Sequence, residues 1–100
     1  MNVLVARIYL SEAQHTRKKI VEKLHDEKVK GVTVFRGISG FGDSGEVHGA
    51  GLVDIALDLP LVVEFFDTPD RVRSMIDSLD DLVKPHHVIT FVAEITEPSE

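Results

Sequence analysis

"LPLVVEFFDTPDRVRSMIDSLDDLVKPHHVITFVAEIT", residues 59–96, reads as strand, helix, strand, and that order decides the architecture. In "LPLVVEFFD" Leu61, Val63 and Phe65 alternate with Val62, Glu64 and Phe66, the period of two expected of a strand. Pro60 suits the strand's start, where a missing N–H is tolerated. Thr68 can cap a following helix, Pro69 fits its first position, and Asp70 suits its positive end. Val72, Met75, Ile76, Leu79, Leu82 and Val83 then recur at threes and fours, and Pro85 predicts the stop. "HVITFVAEIT" closes the stretch as a strand with Ile89, Phe91, Ala93 and Ile95 on one face.

The first part of the chain has the same order. "NVLVARIYL", residues 2–10, puts Leu4, Ala6, Ile8 and Leu10 on one face and Val3, Val5, Arg7 and Tyr9 on the other. "SEAQHTRKKIVEKLHDEKVKG", residues 11–31, predicts a helix with Ala13, Ile20, Val21 and Leu24 along one stripe and Gly31 as its stop. "VTVFRGI", residues 32–38, is a second strand. The fold class is therefore α+β: a ferredoxin-like βαββαβ chain with a four-stranded antiparallel sheet and both helices on one face. A single domain over residues 1–100 is expected, with a flexible loop at 39–50 and a tail at 97–100. Residues 50–58, "AGLVDIALD", either belong to the loop or prolong the third strand as an arm. With both helices on one face, the other sheet face must be wet or covered. Both faces carry apolar residues, so a homo-oligomer is expected.

Bulk composition narrows the function. The chain has 100 residues, 43% of them hydrophobic and 28% charged, as in an ordinary globular domain. Its net charge of −6 argues against nucleic acid as a partner, because phosphate neutralisation needs a basic face. Cysteine is absent, which excludes disulfides, thiolate catalysis and cysteine zinc sites. The apolar start "MNVLVARIYL" is too short to span a membrane and lacks the layout of a signal peptide. A cytoplasmic protein that is not membrane-embedded is the expectation.

Six of the seven glycines fall within residues 37–51, in "GISGFGDSGEVHGAG". Gly40, Gly42 and Gly45 spell G-x-G-x-x-G, yet the dinucleotide fingerprint needs a helix directly after it, and the next residues are strand-like. A phosphate-binding P-loop would need Gly-Lys-Ser/Thr, which is missing. Two readings stay open: a hairpin loop that uses glycine for φ > 0, or a nest of backbone N–H groups for an anion beside Arg36.

The remaining candidates are weaker. A metal site would need His48 to meet His86 or His87 in the fold or across a subunit boundary. Glu64 lies between apolar strand neighbours and can pair with Arg7 or Arg36 across the sheet. Arg17, Lys18, Lys19 and Lys23 make a basic patch on the first helix, read as a solvated face. No serine or threonine has a nearby histidine in a nucleophile motif, and no enzyme is expected.

The runs "RIYLSE", "GVTVFRGISGFGDSGEVH" and "LDLPLVVEFFDTPDRV" resemble a family of small PII-like proteins classed as a domain of unknown function. The resemblance covers nearly the whole chain and implies a ferredoxin-like homotrimer whose sheets pack around the central axis. PII signal-transduction proteins bind adenine nucleotides between subunits and dock onto transporters or enzymes through a loop after the second strand. By position, residues 39–50 look like that loop, and Arg36, Gly37, Gly40, Phe41 and Gly42 look like its base. In place of the family's second, glycine-rich phosphate segment stands "VKPHHV", which offers Lys84 and the two histidines. The implied function is signalling: an anionic, nucleotide-type ligand at the subunit cleft and a membrane transporter or enzyme as docking partner. The alternative is a divalent-metal-binding trimer resembling the CutA ion-tolerance proteins, with His48, His86 and His87 as ligands. An adenine nucleotide and a divalent metal are thus the two cofactor candidates.

Overall fold

The structure, a computed structural model, describes residues 1–41, 48–49 and 59–98. Strand β1 (Asn2–Ser11) is followed by a 3-10 turn (Glu12–Gln14), helix α1 (Arg17–Asp26) and strand β2 (Gly31–Arg36). After two-residue strands β3 (Ser39–Gly40) and β4 (His48–Gly49) come strand β5 (Pro60–Asp67), helix α2 (Pro69–Ser78) and strand β6 (Val88–Glu94). The four long strands form one antiparallel sheet in the order β2-β5-β1-β6. This is the expected βαββαβ architecture.

The alternation read from the sequence is the alternation that folds. Leu4, Ala6, Ile8 and Leu10 of β1 lie beside Leu61, Val63 and Phe65 of β5 on the helix-covered face, and all are buried. Ile20 and Leu24 of α1 and Val72 and Met75 of α2, with Leu79 just beyond it, complete the core. Phe65 is fully buried at its centre, and truncating such a ring to alanine costs about 3–5 kcal/mol. On the opposite face Tyr9, Phe35, Ile89 and Phe91 are exposed around an Arg7–Glu64 ion pair of 2.8 Å. The Arg7 guanidinium also sits 5.0 Å from the centroid of the Phe91 ring. Facing positions explain why Glu64 takes Arg7: the two are register partners, whereas Arg36 faces Leu61 on the helix side.

Three boundaries differ from expectation. Helix α1 starts at Arg17, because residues 12–14 close a 3-10 turn, the Ser11 N–H donates to Gln14 Oε1 at 2.7 Å, and His15 turns left-handed with φ 56°. The reversal after α1 is made by Lys28, also at φ 56°, and Gly31 instead begins β2, where a Cβ would run into the Phe66 ring. Helix α2 ends at Ser78, short of Pro85. Asp77, Asp80 and Asp81 crowd that terminus, where negative charge opposes the helix dipole. Leu82 and Val83 still pack against the core from a turn in which the Leu82 N–H donates to Leu79 O at 2.8 Å. Lys23, read as part of a solvated face, donates to the Ser78 carbonyl and caps α2 with a cation.

Residues 50–58, read as loop or strand extension, lie outside the described residues, as do 42–47 within the loop and 99–100 in the tail. The stems of the 39–50 loop pair with each other, Ser39 with Gly49 and Gly40 with His48.

Candidate functional site

The chemistry-bearing residues gather at one end of the sheet. There β1 and β2 finish and β5 and β6 begin, so Arg36, Leu61 and Leu10 share one row. Just beyond that row the Gly37 N–H donates to Pro60 O at 2.7 Å, and the Glu12 N–H donates to Leu59 O at 3.1 Å. The loop base is thereby sewn to the start of β5.

The glycines at this base serve close approach. A Cβ at Gly37 would meet Pro60 Cγ at 2.7 Å, and one at Gly40 would meet the same atom at 3.4 Å. Neither position has the left-handed backbone that the hairpin reading assigned to its glycines. Ile38 and Phe41 project outward, 82% and 74% exposed. Gly42 lies outside the described residues.

Arg36 carries the charge of the site. Its Nε lies 2.5 Å from Glu12 Oε1, with the Arg36 side chain 65% exposed and that of Glu12 23% exposed. The contact is ionic without an aligned hydrogen bond: Glu12 Oε1 is buried and has no hydrogen-bond partner among the described residues. Thr16 Oγ1 is in the same condition. These two oxygens sit four residues apart in the β1–α1 connection, at the end where Arg36 lies. The Glu12 oxygen is held by the Arg36 guanidinium, so of the two it is Thr16 Oγ1 that has neither a hydrogen bond nor an ion pair among the described residues. Parity along β1 and β2 would have revealed Glu12 beside Arg36; the sequence pattern offered Arg36 only Glu64.

The second expected segment lies across the sheet. Lys84 and His86 are exposed in the turn before β6, and His86 holds φ 64°. His87 donates from Nδ1 to Pro85 O at 2.8 Å, and its carbonyl accepts the Tyr9 N–H at 2.9 Å. This turn is at the same end as Arg36 but beside the other edge strand. Three strand spacings separate β2 from β6, about 14 Å. One copy of the chain therefore does not bring Arg36 and Lys84 onto one small ligand. The side chain of His48 lies outside the described residues, and among those described no three His, Asp or Glu group as metal ligands.

Two further features lie elsewhere. An open groove of about 470 Å³ between α1 and β2 is lined by Val21, Leu24, Val29 and Val32, with His25, Lys28 and Lys30 at its margin. It contains none of the expected site residues. At the far end of the sheet, Asp67 is 3% exposed. It accepts from the Thr68 N–H at 2.7 Å, Arg71 Nε at 3.0 Å and the Lys30 N–H at 3.2 Å. Burial alone would raise its carboxyl above the usual range, but the Thr68 and Lys30 N–H groups and the Arg71 guanidinium outweigh it and hold the carboxyl below that range. Arg71 also donates to the Glu27 carbonyl, which ties α2 to the α1–β2 connection.

The chain belongs to the DUF190 family, described as Uncharacterized ACR, whose model matches residues 3–95. It is 28% identical over 78 residues to a UPF0166 protein of Aquifex aeolicus, covering 73% of this chain and 74% of that one. To a UPF0166 protein of Methanocaldococcus jannaschii it is 27% identical over 90 residues, covering 85% and 82%. Among solved structures it resembles CPII of Thiomonas intermedia K12 bound to ADP and bicarbonate, with a TM-score of 0.65, 21% identity, and 95% and 87% of the two chains covered. The divalent ion tolerance protein CutA1 of Ehrlichia chaffeensis matches with a TM-score of 0.60, 12% identity, and 99% and 86% coverage. At these identities the structural likenesses show the fold: PII-like and ferredoxin-like. Among the described residues no helix is long and apolar enough to cross a membrane.

Proposed function

We propose that this chain is a non-enzymatic PII-like regulatory protein. It binds an anionic small molecule of the adenine-nucleotide type at clefts between copies of itself, as a homotrimer, and contacts a transporter or enzyme through residues 39–50. The observation that carries the proposal is the end of the sheet at Arg36. There an exposed guanidinium, held by Glu12, adjoins the loop base, whose Gly37 N–H donates to Pro60 O. Helix α1 also opens there, so its positive dipole end and Arg17, Lys18 and Lys19 raise the local potential of a chain whose net charge is −6.

The separation of Arg36 from Lys84 supports a shared site. In a ring of copies the β2 edge of one meets a different surface of the next, so Lys84, His86 and His87 of one copy can face Arg36, Gly37, Gly40, Phe41 and Gly42 of its neighbour. The exposed apolar face around Tyr9, Phe35, Ile89 and Phe91 supplies the surface such a ring would cover. The solved neighbour CPII, described with ADP and bicarbonate, adds an adenine nucleotide as the first ligand to try.

Calorimetry against a panel of adenine nucleotides, with sedimentation to give the oligomeric state, tests the proposal. Saturable binding is expected, weakened about tenfold or more in Arg36→Ala, the size of one lost charge-assisted hydrogen bond. Silence across the panel, with a loop whose protease sensitivity no ligand changes, would sink it.

A further inference from the structure

We infer that Val92 and Glu94 of one copy seat in the groove between α1 and β2 of the next, and that this contact sets the level at which the neighbour's His86 meets Arg36. The inference rests on the shared site proposed above and adds a second contact at the other end of the same seam. β2 and β6 are the two edge strands, each hydrogen-bonded to the sheet on one side only. Open edges with apolar side chains call for cover, and these two are complementary in shape, charge and level.

Val92 lies opposite the buried Leu4, on the helix side of the sheet, yet it is 65% exposed. The groove is also on the helix side, at the other edge, with apolar walls of Val21, Leu24, Val29 and Val32. Glu94 follows Val92 by two residues and so shares its face. It is exposed and has no ion pair among the described residues. Lys28 and Lys30 stand exposed at the groove's margin and likewise lack ion pairs among those residues, while His25 lies 3.8 Å from Asp26. Among the described residues no carboxylate lines the groove.

The levels agree as well. Gly31, Phe66, Val5 and Phe91 form one row across the sheet. The row of Arg36, Leu61 and Leu10 extends to His86, because Ile8 faces Val88 and the two strands run antiparallel. β2 and β6 point in opposite directions, so a seam that sets Arg36 against the neighbour's His86 also sets Gly31 against its Phe91. Lys28, three residues before Gly31, then meets Glu94, three residues after Phe91. Within one chain those positions are three strand spacings apart, about 14 Å. Only a second copy brings them together.

The chain has no cysteine, so Lys28→Cys combined with Glu94→Cys reports the contact directly. A bifunctional thiol reagent shorter than about 14 Å should link the double variant into a ladder of copies on a denaturing gel, while each single variant should stop at dimers. Sedimentation then weighs the contact. Val92→Asp and Lys28→Glu should each raise the dissociation constant of the assembly about tenfold, and Lys28→Glu with Glu94→Lys should recover most of the loss. A double cysteine variant that forms no ladder, or a charge swap that recovers nothing, overturns the inference. If that happens while the parent still assembles and binds ADP through Arg36, the shared site stands on a different seam. A parent that stays monomeric at every concentration removes the shared site, and the inference with it.

Discussion

Two arginine–carboxylate pairs stand at opposite ends of the same sheet, and their surroundings differ in kind. Asp67 is buried, accepts from three donors, and joins β5 to α2 and to the chain entering β2. Glu12 holds Arg36 through Oε1 at 2.5 Å, an ion pair without an aligned hydrogen bond, and the arginine side chain is 65% exposed. A carboxylate whose lone pairs are filled fixes geometry. One held by a single, largely exposed cation is the looser joint, and it leaves that cation open to a further anion. The difference separates the structural end of the molecule from the end where a ligand is proposed.

The comparison breaks most readily at Asp67. In Asp67→Asn the amide nitrogen would oppose the Arg71 and Lys30 donors, and the lost charge-assisted bonds should cost about 2–3 kcal/mol of stability. For a chain of this size that lowers the melting temperature by roughly 10–20 °C at fixed protein concentration. The pH dependence has a definite sign. Because the folded carboxyl titrates below the ordinary value of 3.8, its stabilisation is fully present above that value. It is lost as pH falls through the lower folded-state value, since the unfolded chain takes up the proton first. Urea titrations of the parent at falling pH should show this loss, and Asp67→Asn should lack that part of the slope. Parallel pH profiles for the two proteins would assign the acid sensitivity elsewhere.

Asp67 and Glu12 also show how far the sequence could be read. The central strands β1 and β5 and helix α2 were legible because each buries one face, so the period of Leu61, Val63 and Phe65, or of Val72, Met75 and Leu79, is written in the chain itself. Contacts between elements were less so. The Arg7–Glu64 pair could be named as one of two options, and register then decides it. Glu12 escaped notice because it sits in a 3-10 turn that reads as the first turn of the helix. Asp67 likewise took its meaning from Lys30, which is distant in sequence and brought near by the turn at Lys28. The loop's place after β2 was legible in its run of glycines. The purpose of Gly37 and Gly40 was not, since close approach to Pro60 depends on where β5 begins.

Gly37 tests that last point with a smaller effect. Its N–H bond to Pro60 O would survive in Gly37→Ala, but the new methyl would stand 2.7 Å from Pro60 Cγ, part of a stiff ring. Relief requires the loop base to move off β5, at a cost of about 1–2 kcal/mol. Because the backbone there is not left-handed, the cost comes from crowding alone. Gly37→Ala combined with Pro60→Ala should therefore recover most of the loss in a thermal melt. Failure to recover would mean that glycine is needed for its backbone freedom after all.

The smallest effect on folding belongs to the Glu12–Arg36 pair, and its smallness is what the comparison requires. With Arg36 65% exposed, solvent screens the attraction, and a double-mutant cycle through Glu12→Ala and Arg36→Ala should give a coupling of about 0.5 kcal/mol. The same cycle through Asp67→Ala and Arg71→Ala should give a clearly larger one, because Asp67 keeps its charge in a buried place. Equal couplings would erase the distinction between the two ends. A weak coupling at Glu12, joined to a strong effect of Arg36→Ala on nucleotide binding, would show that this arginine serves something other than the fold.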